Sequence, residues 1–210
     1  METHTMSAKS AQEGEHRRSR VAFVTVGASA SFKSLIDEVI SEAFIAKLKA
    51  LRFSRLIVQC GPDYDYFESA RPKSDANGLG GLDVSGFAYT KDINQFFALA
   101  TPSSGAEVRS RGLIITHAGS GSILEALNFD AAIIAVPNPT LMGNHQAEIA
   151  KDMDKKEFLT HGKLGSLAEI ITEELLNKPK KKWPPPPDPA SVYPGGLYEI
   201  IDALMPTRMY

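Results

Sequence analysis

The feature that most constrains this chain is a series of short apolar runs rich in β-branched residues. The first run occupies residues 21–26 and stops at Gly27, and the second occupies 56–60 and stops at Gly61-Pro62. Continuous apolar runs this short are typical of strands that are buried on both faces of a parallel sheet. Further strands are predicted at residues 84–89, 113–116 and 132–136.

Helical segments alternate with these strands. Apolar residues recur at intervals of three and four from Phe32 to Leu51, which predicts one amphipathic helix between the first two strands. Four more helices are predicted, at residues 92–99, 122–128, 144–154 and 165–177. Residues 61–83 and 101–111 are interpreted as polar loops. The alternation predicts an α/β fold class: a Rossmann-like parallel sheet with helices on both faces.

The length of 210 residues suits one domain with terminal extensions, because domains average roughly 150 residues. Residues 1–20 are polar and are predicted to be a disordered leader. The Rossmann-like domain is assigned to residues 21–177, and a basic and proline-rich linker to 178–194. Residues 195–210 resume an apolar helical pattern. We expect a C-terminal helix there that packs back on the domain or, in the favoured interpretation, docks on a partner.

Charge and cysteine content exclude several classes of protein. The formal net charge is −2, and residues 21–177 contain more acidic than basic side chains, which argues against nucleic-acid binding. The single cysteine, Cys60, rules out an internal disulfide framework and a cysteine-rich zinc site. No apolar stretch approaches the ~20 residues that a membrane-spanning helix needs. We therefore expect a cytoplasmic protein that does not bind nucleic acid.

The clearest chemical signal runs from Thr116 to Glu125 (THAGSGSILE) and connects a predicted strand to a predicted helix. A glycine-rich turn lets the backbone approach a ligand, and the amides at a helix start favour an anion. Ser120 and Ser122 add hydroxyl donors for phosphate oxygens. A purely structural interpretation stays open, because Ser122 and Glu125 match a capping box that only satisfies backbone donors.

A second segment, residues 136–146, follows the next strand and ends in Asn144, His145 and Gln146. It is expected at the same edge of the sheet, where open parallel sheets bind their ligands. These neutral polar side chains suit sugar hydroxyls, although Asn144 is also a good helix N-cap. The turn formed by residues 27–29 is expected at this edge too, but such a turn is common in any βαβ unit.

Other kinds of site lack their sequence signatures. Only His117 and His145 lie in strand-end loops, and two histidines without a third ligand make a poor zinc site. A P-loop, a complete GxGxxG dinucleotide fingerprint and a GxSxG nucleophile motif with triad partners are all missing. We therefore predict neither a metal nor a cofactor.

Four segments together resemble one family of glycosyltransferase subunits. They are VTVG at 24–27, THAGSGSILEAL at 116–127, IAVPN at 134–138 and LMGNHQAEIA at 141–150. The family is the soluble catalytic subunit of the endoplasmic-reticulum enzyme that adds the second N-acetylglucosamine to dolichyl-diphosphate-linked N-acetylglucosamine. It belongs to glycosyltransferase family 28 and is similar to the donor-binding half of the bacterial muramoyl-peptide N-acetylglucosaminyltransferase. The resemblance covers about residues 20–176 and implies one half of a GT-B glycosyltransferase.

The resemblance also implies a binding site for UDP-N-acetylglucosamine. Its predicted members are Gly27, Ser29, His117, Gly119, Ser120, Gly121, Ser122, Glu125, Asn144, His145 and Gln146. The first turn and residues 119–122 would surround the diphosphate. Glu125 would hold the ribose hydroxyls, and residues 144–146 would contact the sugar. No catalytic residue is assigned, because the general base is not evident.

Mechanistically, the resemblance implies an inverting, metal-independent transfer that creates a β1,4 linkage. Oriented amides and hydroxyls would stabilise the charge that grows on the departing UDP. Because the chain holds one GT-B half, a membrane-anchored partner would supply the half that binds the lipid-linked acceptor. The chain would then be recruited to the cytosolic face of the endoplasmic reticulum membrane. The alternative is a non-catalytic regulatory module that binds a UDP-sugar or another nucleotide.

Overall fold

The computed structural model describes residues 19–73, 80–104, 107–141, 145–178, 181 and 183–185. The chain divides into two compact units, Met1–Lys180 and Lys181–Tyr210. All of the elements below belong to the first unit; in the second, the Trp183–Pro184 peptide bond is cis. The predicted C-terminal helix (195–210) and residues 1–18 of the predicted leader lie outside the described residues.

Within the described ranges, eight strands form two sheets. They are β1 (Arg20–Thr25), β2 (Phe53–Gln59), β3 (Asp83–Phe87), β4 (Ser103–Ser104), β5 (Val108–Arg109), β6 (Leu113–Thr116), β7 (Ala132–Ala135) and β8 (Thr160–His161). The main sheet is parallel throughout and has the order β3-β2-β1-β6-β7-β8, while β4 and β5 form a separate antiparallel pair. The strand order reverses between β1 and β6. At such a switch point the loops diverge and leave a crevice at the carboxyl ends of the strands.

Helices cover both faces of the main sheet. They are α1 (Lys33–Val39), α2 (Glu42–Ala50), α3 (Tyr64–Ala70), α4 (Asn94–Leu99), α5 (Ser120–Ala126), α6 (His145–Lys155), α7 (Leu167–Ile170) and α8 (Glu173–Asn177). On one face, Phe23 of β1 stacks on Phe96 and meets Phe97 edge-to-face, both from α4. On the other face, Val24 joins a core that includes Leu35 of α1. Fully burying a side chain of this size contributes about 1.5–3 kcal/mol, so both faces stabilise the sheet. The Rossmann-like α/β prediction is confirmed.

Two helices predicted as continuous are broken by local caps. The helix predicted from Phe32 to Leu51 is α1 followed by α2, because Ser41 adopts an extended backbone and its Oγ accepts a hydrogen bond from the Phe44 amide at 3.3 Å. The helix predicted over 165–177 is α7 followed by α8, where Thr172 caps the second helix. Apolar periodicity continues across both breaks, which is why the sequence pattern did not reveal them.

Both segments interpreted as loops contain regular structure, so that prediction is wrong in part. Segment 61–83 includes the 3-10 turn Gly61–Asp63 and α3, whose Phe67 packs against Gly86 of β3. A Cβ atom at Gly86 would lie only 2.4 Å from that ring. Segment 101–111 includes the β4–β5 pair. Polar composition hid both features, because contacts distant in sequence stabilise them.

Candidate functional site

A cleft of about 450 Å³ opens at the carboxyl ends of the central strands. The turns that follow β1, β3 and β6 form its walls, together with the end of β2. Its volume lies within the range of roughly 300–1,000 Å³ that is usual for small-molecule sites. Six of the predicted site residues line it: Gly27, His117, Gly119, Ser120, Gly121 and Ser122. The structure therefore brings the predicted phosphate loop and the first turn together.

The ring of His117 packs between two glycines. A Cβ atom at Gly27 would lie 2.8 Å from the ring, and one at Gly119 would lie 2.4 Å from Nε2. Gly27 also has a φ of +89°, which residues with side chains rarely adopt. Only glycine therefore fits on either side of this ring. The imidazole in turn determines how closely the two turns approach each other.

The imidazole of His117 is partly buried in the wall of the cleft. Burial lowers the pKa of its imidazole, and the Thr25 carbonyl opposes this shift without cancelling it. The ring is therefore neutral near pH 7. Its Nδ1 atom is buried and finds no hydrogen-bond partner within the described ranges. Ala118, the next residue, has a φ of +61°, so the chain turns sharply from β6 toward α5.

Two buried polar side chains, Thr25 and Gln59, tie the walls of the cleft together. The Gly27 amide donates to Thr25 Oγ1 at 3.2 Å, and that hydroxyl donates to Gln59 Oε1. Gln59 Nε2 then donates to the carbonyls of Gly27 and Ala88, at 3.0 Å each. We call this set of bonds the Thr25–Gln59 clamp. It joins the turn after β1 to the loop after β3, and sequence analysis missed both side chains.

The amino end of α5 faces the cleft without a side-chain cap. Gly119 is the N-cap, and its carbonyl accepts a hydrogen bond from the Ile123 amide at 3.0 Å. Among the described residues, no side chain caps the first helical turn of α5. The capping-box interpretation is therefore wrong, since Ser122 lies inside the helix. Ser120, Gly121 and Ser122 occupy the first turn, whose amides have no acceptor within a helix. A Cβ atom at Gly121 would meet nothing within 4 Å, so this glycine borders open space.

The remaining predicted site residues do not line this cleft. Ser29, the last residue of the turn after β1, is exposed, and Glu125 is exposed on α5. The side chain of His145 is 90% exposed, and its Nδ1 lies 3.8 Å from Glu148. Gln146 lines a separate cavity at the ends of β7 and β8. Asn144 lies outside the described residues.

The loop after β3 supplies cleft residues that sequence analysis missed. They are Tyr89, Thr90, Lys91 and Ile93. Tyr89 is 58% exposed although it is a large aromatic residue, and Lys91 brings a positive charge to the lining. Their position at the end of a predicted strand or just beyond it was the available signal, because that strand must end at the same sheet edge as the others.

A polar network connects the first turn to the loop after β7. The buried carboxylate of Asp63 accepts from Ser31 Oγ at 2.8 Å and from the Phe32 amide at 2.7 Å. Asn138, also buried, donates from Nδ2 to the Ser31 carbonyl at 2.9 Å. The backbone amide of Asn138 donates to Gln146 Oε1 at 3.1 Å. Gln146 is therefore oriented by contacts that reach back to the start of α1.

The described ranges contain no helix that is both long and apolar enough to cross a membrane. They also contain no group of three or more His, Cys, Asp or Glu side chains that could hold a metal ion.

The parallel sheet, its two helical layers and the strand-end cleft define a Rossmann-like α/β domain with a small-molecule cleft. More specifically, the chain belongs to glycosyltransferase family 28, whose C-terminal domain matches residues 21–185.

Named relatives support this assignment. The UDP-N-acetylglucosamine transferase subunit ALG13 of Yarrowia lipolytica is 33% identical over 139 residues, which cover 66% of this chain and 63% of the relative. The subunit of the same name from Candida albicans is 26% identical over 192 residues, which cover 76% of this chain and 62% of the relative. The Kluyveromyces lactis subunit is 30% identical over 181 residues, which cover 73% of this chain and 87% of the relative. The chain thus spans less than two thirds of the first two relatives.

Proposed function

We propose that this chain is the catalytic, donor-binding subunit of a UDP-N-acetylglucosamine transferase. The enzyme would add the second N-acetylglucosamine, in β1,4 linkage, to dolichyl-diphosphate-N-acetylglucosamine during assembly of the N-glycan precursor. The observation that carries the proposal is the strand-end cleft, in which the Gly27 turn, His117 and residues 119–122 lie together. Membership in family 28 supports sugar transfer, and the names of the relatives suggest the donor.

In this proposal the donor diphosphate lies beside residues 119–122. The free amides of the first turn of α5 and the Ser120 hydroxyl would donate to phosphate oxygens. Lys91 would add the positive charge that the cleft lining provides. As the bond between the sugar and UDP breaks, negative charge grows on the phosphates. Oriented donors that are already in place stabilise that charge without reorganisation.

The sugar would extend toward the loop after β7, where Gln146 is oriented by Asn138. Glu125 and His145, which are exposed, would contact the ribose and the sugar, and Ser29 would border the diphosphate. The acceptor hydroxyl would attack the sugar carbon from the face opposite the phosphate, which inverts its configuration. The group that removes the hydroxyl proton is left unassigned.

The proposal requires a second chain. One Rossmann-like half binds the donor, and a membrane-anchored partner would supply the half that binds the lipid-linked acceptor. The relatives are named as subunits, which supports such a partner. The chain would then work at the cytosolic face of the endoplasmic reticulum membrane.

The test separates donor binding from transfer. Calorimetry should detect UDP binding by the isolated full-length chain. Transfer of labelled N-acetylglucosamine to a lipid-diphosphate acceptor should appear only when a membrane fraction that contains the partner is added. Failure of the chain to bind UDP would overturn the proposal. Binding without turnover in the reconstituted pair would favour the regulatory module instead.

A further inference from the structure

The second cavity, at the ends of β7 and β8, has about 530 Å³ and shares no lining residue with the donor cleft. We call it the β7–β8 cavity. Part of its lining is apolar and comes from Pro137, Pro139, Leu141 and Leu164. The rest includes three basic side chains: Lys151 of α6, His161 of β8 and Lys163 just beyond. The lining therefore combines positive charge with apolar surface.

The positive charge of this cavity has no carboxylate beside it in the described lining, although Asp154 of α6 acts on His161 from outside the lining. No carboxylate is among the described residues that line it. Among the residues that the structure describes, Lys151 and Lys163 have no ion-pair partner. Lys155, on the same helix α6 as Lys151, lies 3.7 Å from Asp152. A concave surface with unpaired positive charge concentrates the electrostatic field and attracts anions.

The basic groups are close enough to affect one another. The pKa of His161 is lowered, first by burial and then by the positive charge of Lys151; Lys163 adds to the effect and Asp154 opposes it. Bringing these groups together therefore costs free energy. A bound anion would relieve that repulsion, and the neutral imidazole would remain available as a hydrogen-bond donor.

We propose that the β7–β8 cavity binds a diphosphate that carries an apolar chain. Lys151 and Lys163 would contact the phosphate oxygens, and the prolines and leucines would contact the first apolar unit. Gln146, which belongs to the predicted sugar-contacting run, also lines the cavity. Given the proposed function, on which this identification rests, the ligand is the diphosphate of the lipid-linked acceptor. The donor half would then hold part of the acceptor as well.

The test uses the full-length chain saturated with UDP and titrated with geranyl diphosphate in a calorimeter. The double variant Lys151→Gln/Lys163→Gln should bind geranyl diphosphate at least about tenfold more weakly, because two charged hydrogen bonds are lost. Lys155→Gln is the matched control, since it removes a lysine from the same helix that does not line the cavity. This control should bind like the unmodified chain. Equal binding by the double variant would overturn the proposal.

Three further measurements identify the ligand. Inorganic pyrophosphate should bind more weakly than geranyl diphosphate; equal affinity would overturn the apolar part of the proposal. Vesicles that contain phosphatidylserine should bind the unmodified chain and the double variant equally. A loss confined to vesicle binding would make bilayer headgroups the ligand and overturn the acceptor assignment. The double variant should bind UDP with the same affinity as the unmodified chain. Failure of the unmodified chain to bind UDP would count against the proposed function alone.

Discussion

At the scale of single residues, one histidine determines which side chains its neighbours can carry. His117 occupies the space that a side chain at position 27 or 119 would need. The glycines are therefore required by packing around the ring, in addition to the access they give a ligand. Gly121 differs, because its missing side chain would point into open space. The glycines of one motif thus have separate physical roles.

The first prediction compares two of these glycines. Gly119→Ala should lower the free energy of unfolding by about 1–3 kcal/mol, because the new methyl group would lie 2.4 Å from the buried imidazole. By displacing the ring and the loop, it should also weaken UDP binding by about tenfold. Gly121→Ala is the control for stability. It should leave the free energy of unfolding unchanged or raise it by at most about 1 kcal/mol. Urea denaturation and calorimetry measure both effects. Equal stability of the two variants would contradict the packing role of His117.

A second prediction concerns pH. The pKa of His117 is lowered by burial in the folded chain, while in the unfolded chain it is near its ordinary value of about 6.5. Below that pH the unfolded chain binds a proton that the folded chain resists. This contribution to stability is therefore present above about pH 6.5 and is lost as the pH falls toward the folded-state pKa. His117→Gln should show a shallower fall in stability than the unmodified chain between about pH 7 and pH 5.

Denaturation at several pH values provides the measurement. His161 also has a lowered pKa, but it is present in both proteins and its effect cancels in the comparison. Two parallel stability profiles would show that His117 does not titrate differently in the folded chain.

At the scale of elements, the cleft depends on contacts between strand ends. The Thr25–Gln59 clamp joins turns that are more than fifty residues apart in the chain, from Gly27 to Ala88. The strands are held together by their own ladder of hydrogen bonds. The clamp adds a constraint beyond that ladder, because it fixes the loops that line the cleft.

The third prediction removes this clamp. Gln59→Leu keeps a buried side chain of similar size but leaves the Gly27 carbonyl without its donor and the Thr25 hydroxyl without its acceptor, which should cost about 1–3 kcal/mol. The Ala88 carbonyl keeps its bond from the Gly61 amide but loses its tie to the turn after β1. The substitution should also raise the KM for the donor, because both walls of the cleft are released. Val58→Ala is the control: this neighbouring residue is buried in the core and lies outside the clamp and the cleft lining. It should lower stability without changing the donor KM. A KM change of the same size in both variants would indicate a general loss of rigidity.

At the scale of the whole molecule, the described cleft belongs entirely to the unit Met1–Lys180. All of the described residues that line the cleft precede residue 181. We propose a division of labour in which the C-terminal segment docks on the proposed partner and the first unit binds the donor.

The fourth prediction tests this division. Deleting residues 181–210 should leave UDP affinity unchanged, because every described residue of the cleft is retained. The shortened chain should no longer sediment with membranes that contain the proposed partner, whereas the full-length chain should. Sedimentation followed by immunoblotting compares the two. If the shortened chain still sediments with the membranes, the docking surface lies in the first unit.

The sequence by itself determined five strands of the main sheet, their alternation with helices, and the location of the main phosphate-binding candidate. These depend on local patterns: continuous apolar runs mark the buried strands, and glycines at a strand end mark the turn at residues 119–121. Local patterns have a short range. They could not place α3, because Phe67 is buried only through its contact with Gly86. Nor could they show that α5 begins at Ser120, two residues before the apparent capping box.

Only the tertiary structure decided which residues share a site. Gln59 looks in sequence like any polar residue at the end of a strand, yet the parallel register places it beside Thr25. Glu125 follows the phosphate loop in sequence but is not among the residues that line the cleft, since a helix turns successive side chains to different sides. The basic lining of the β7–β8 cavity came into view in the same way. The physical reason is that a site is built from contacts between distant segments, and such contacts exist only after the sheet has formed.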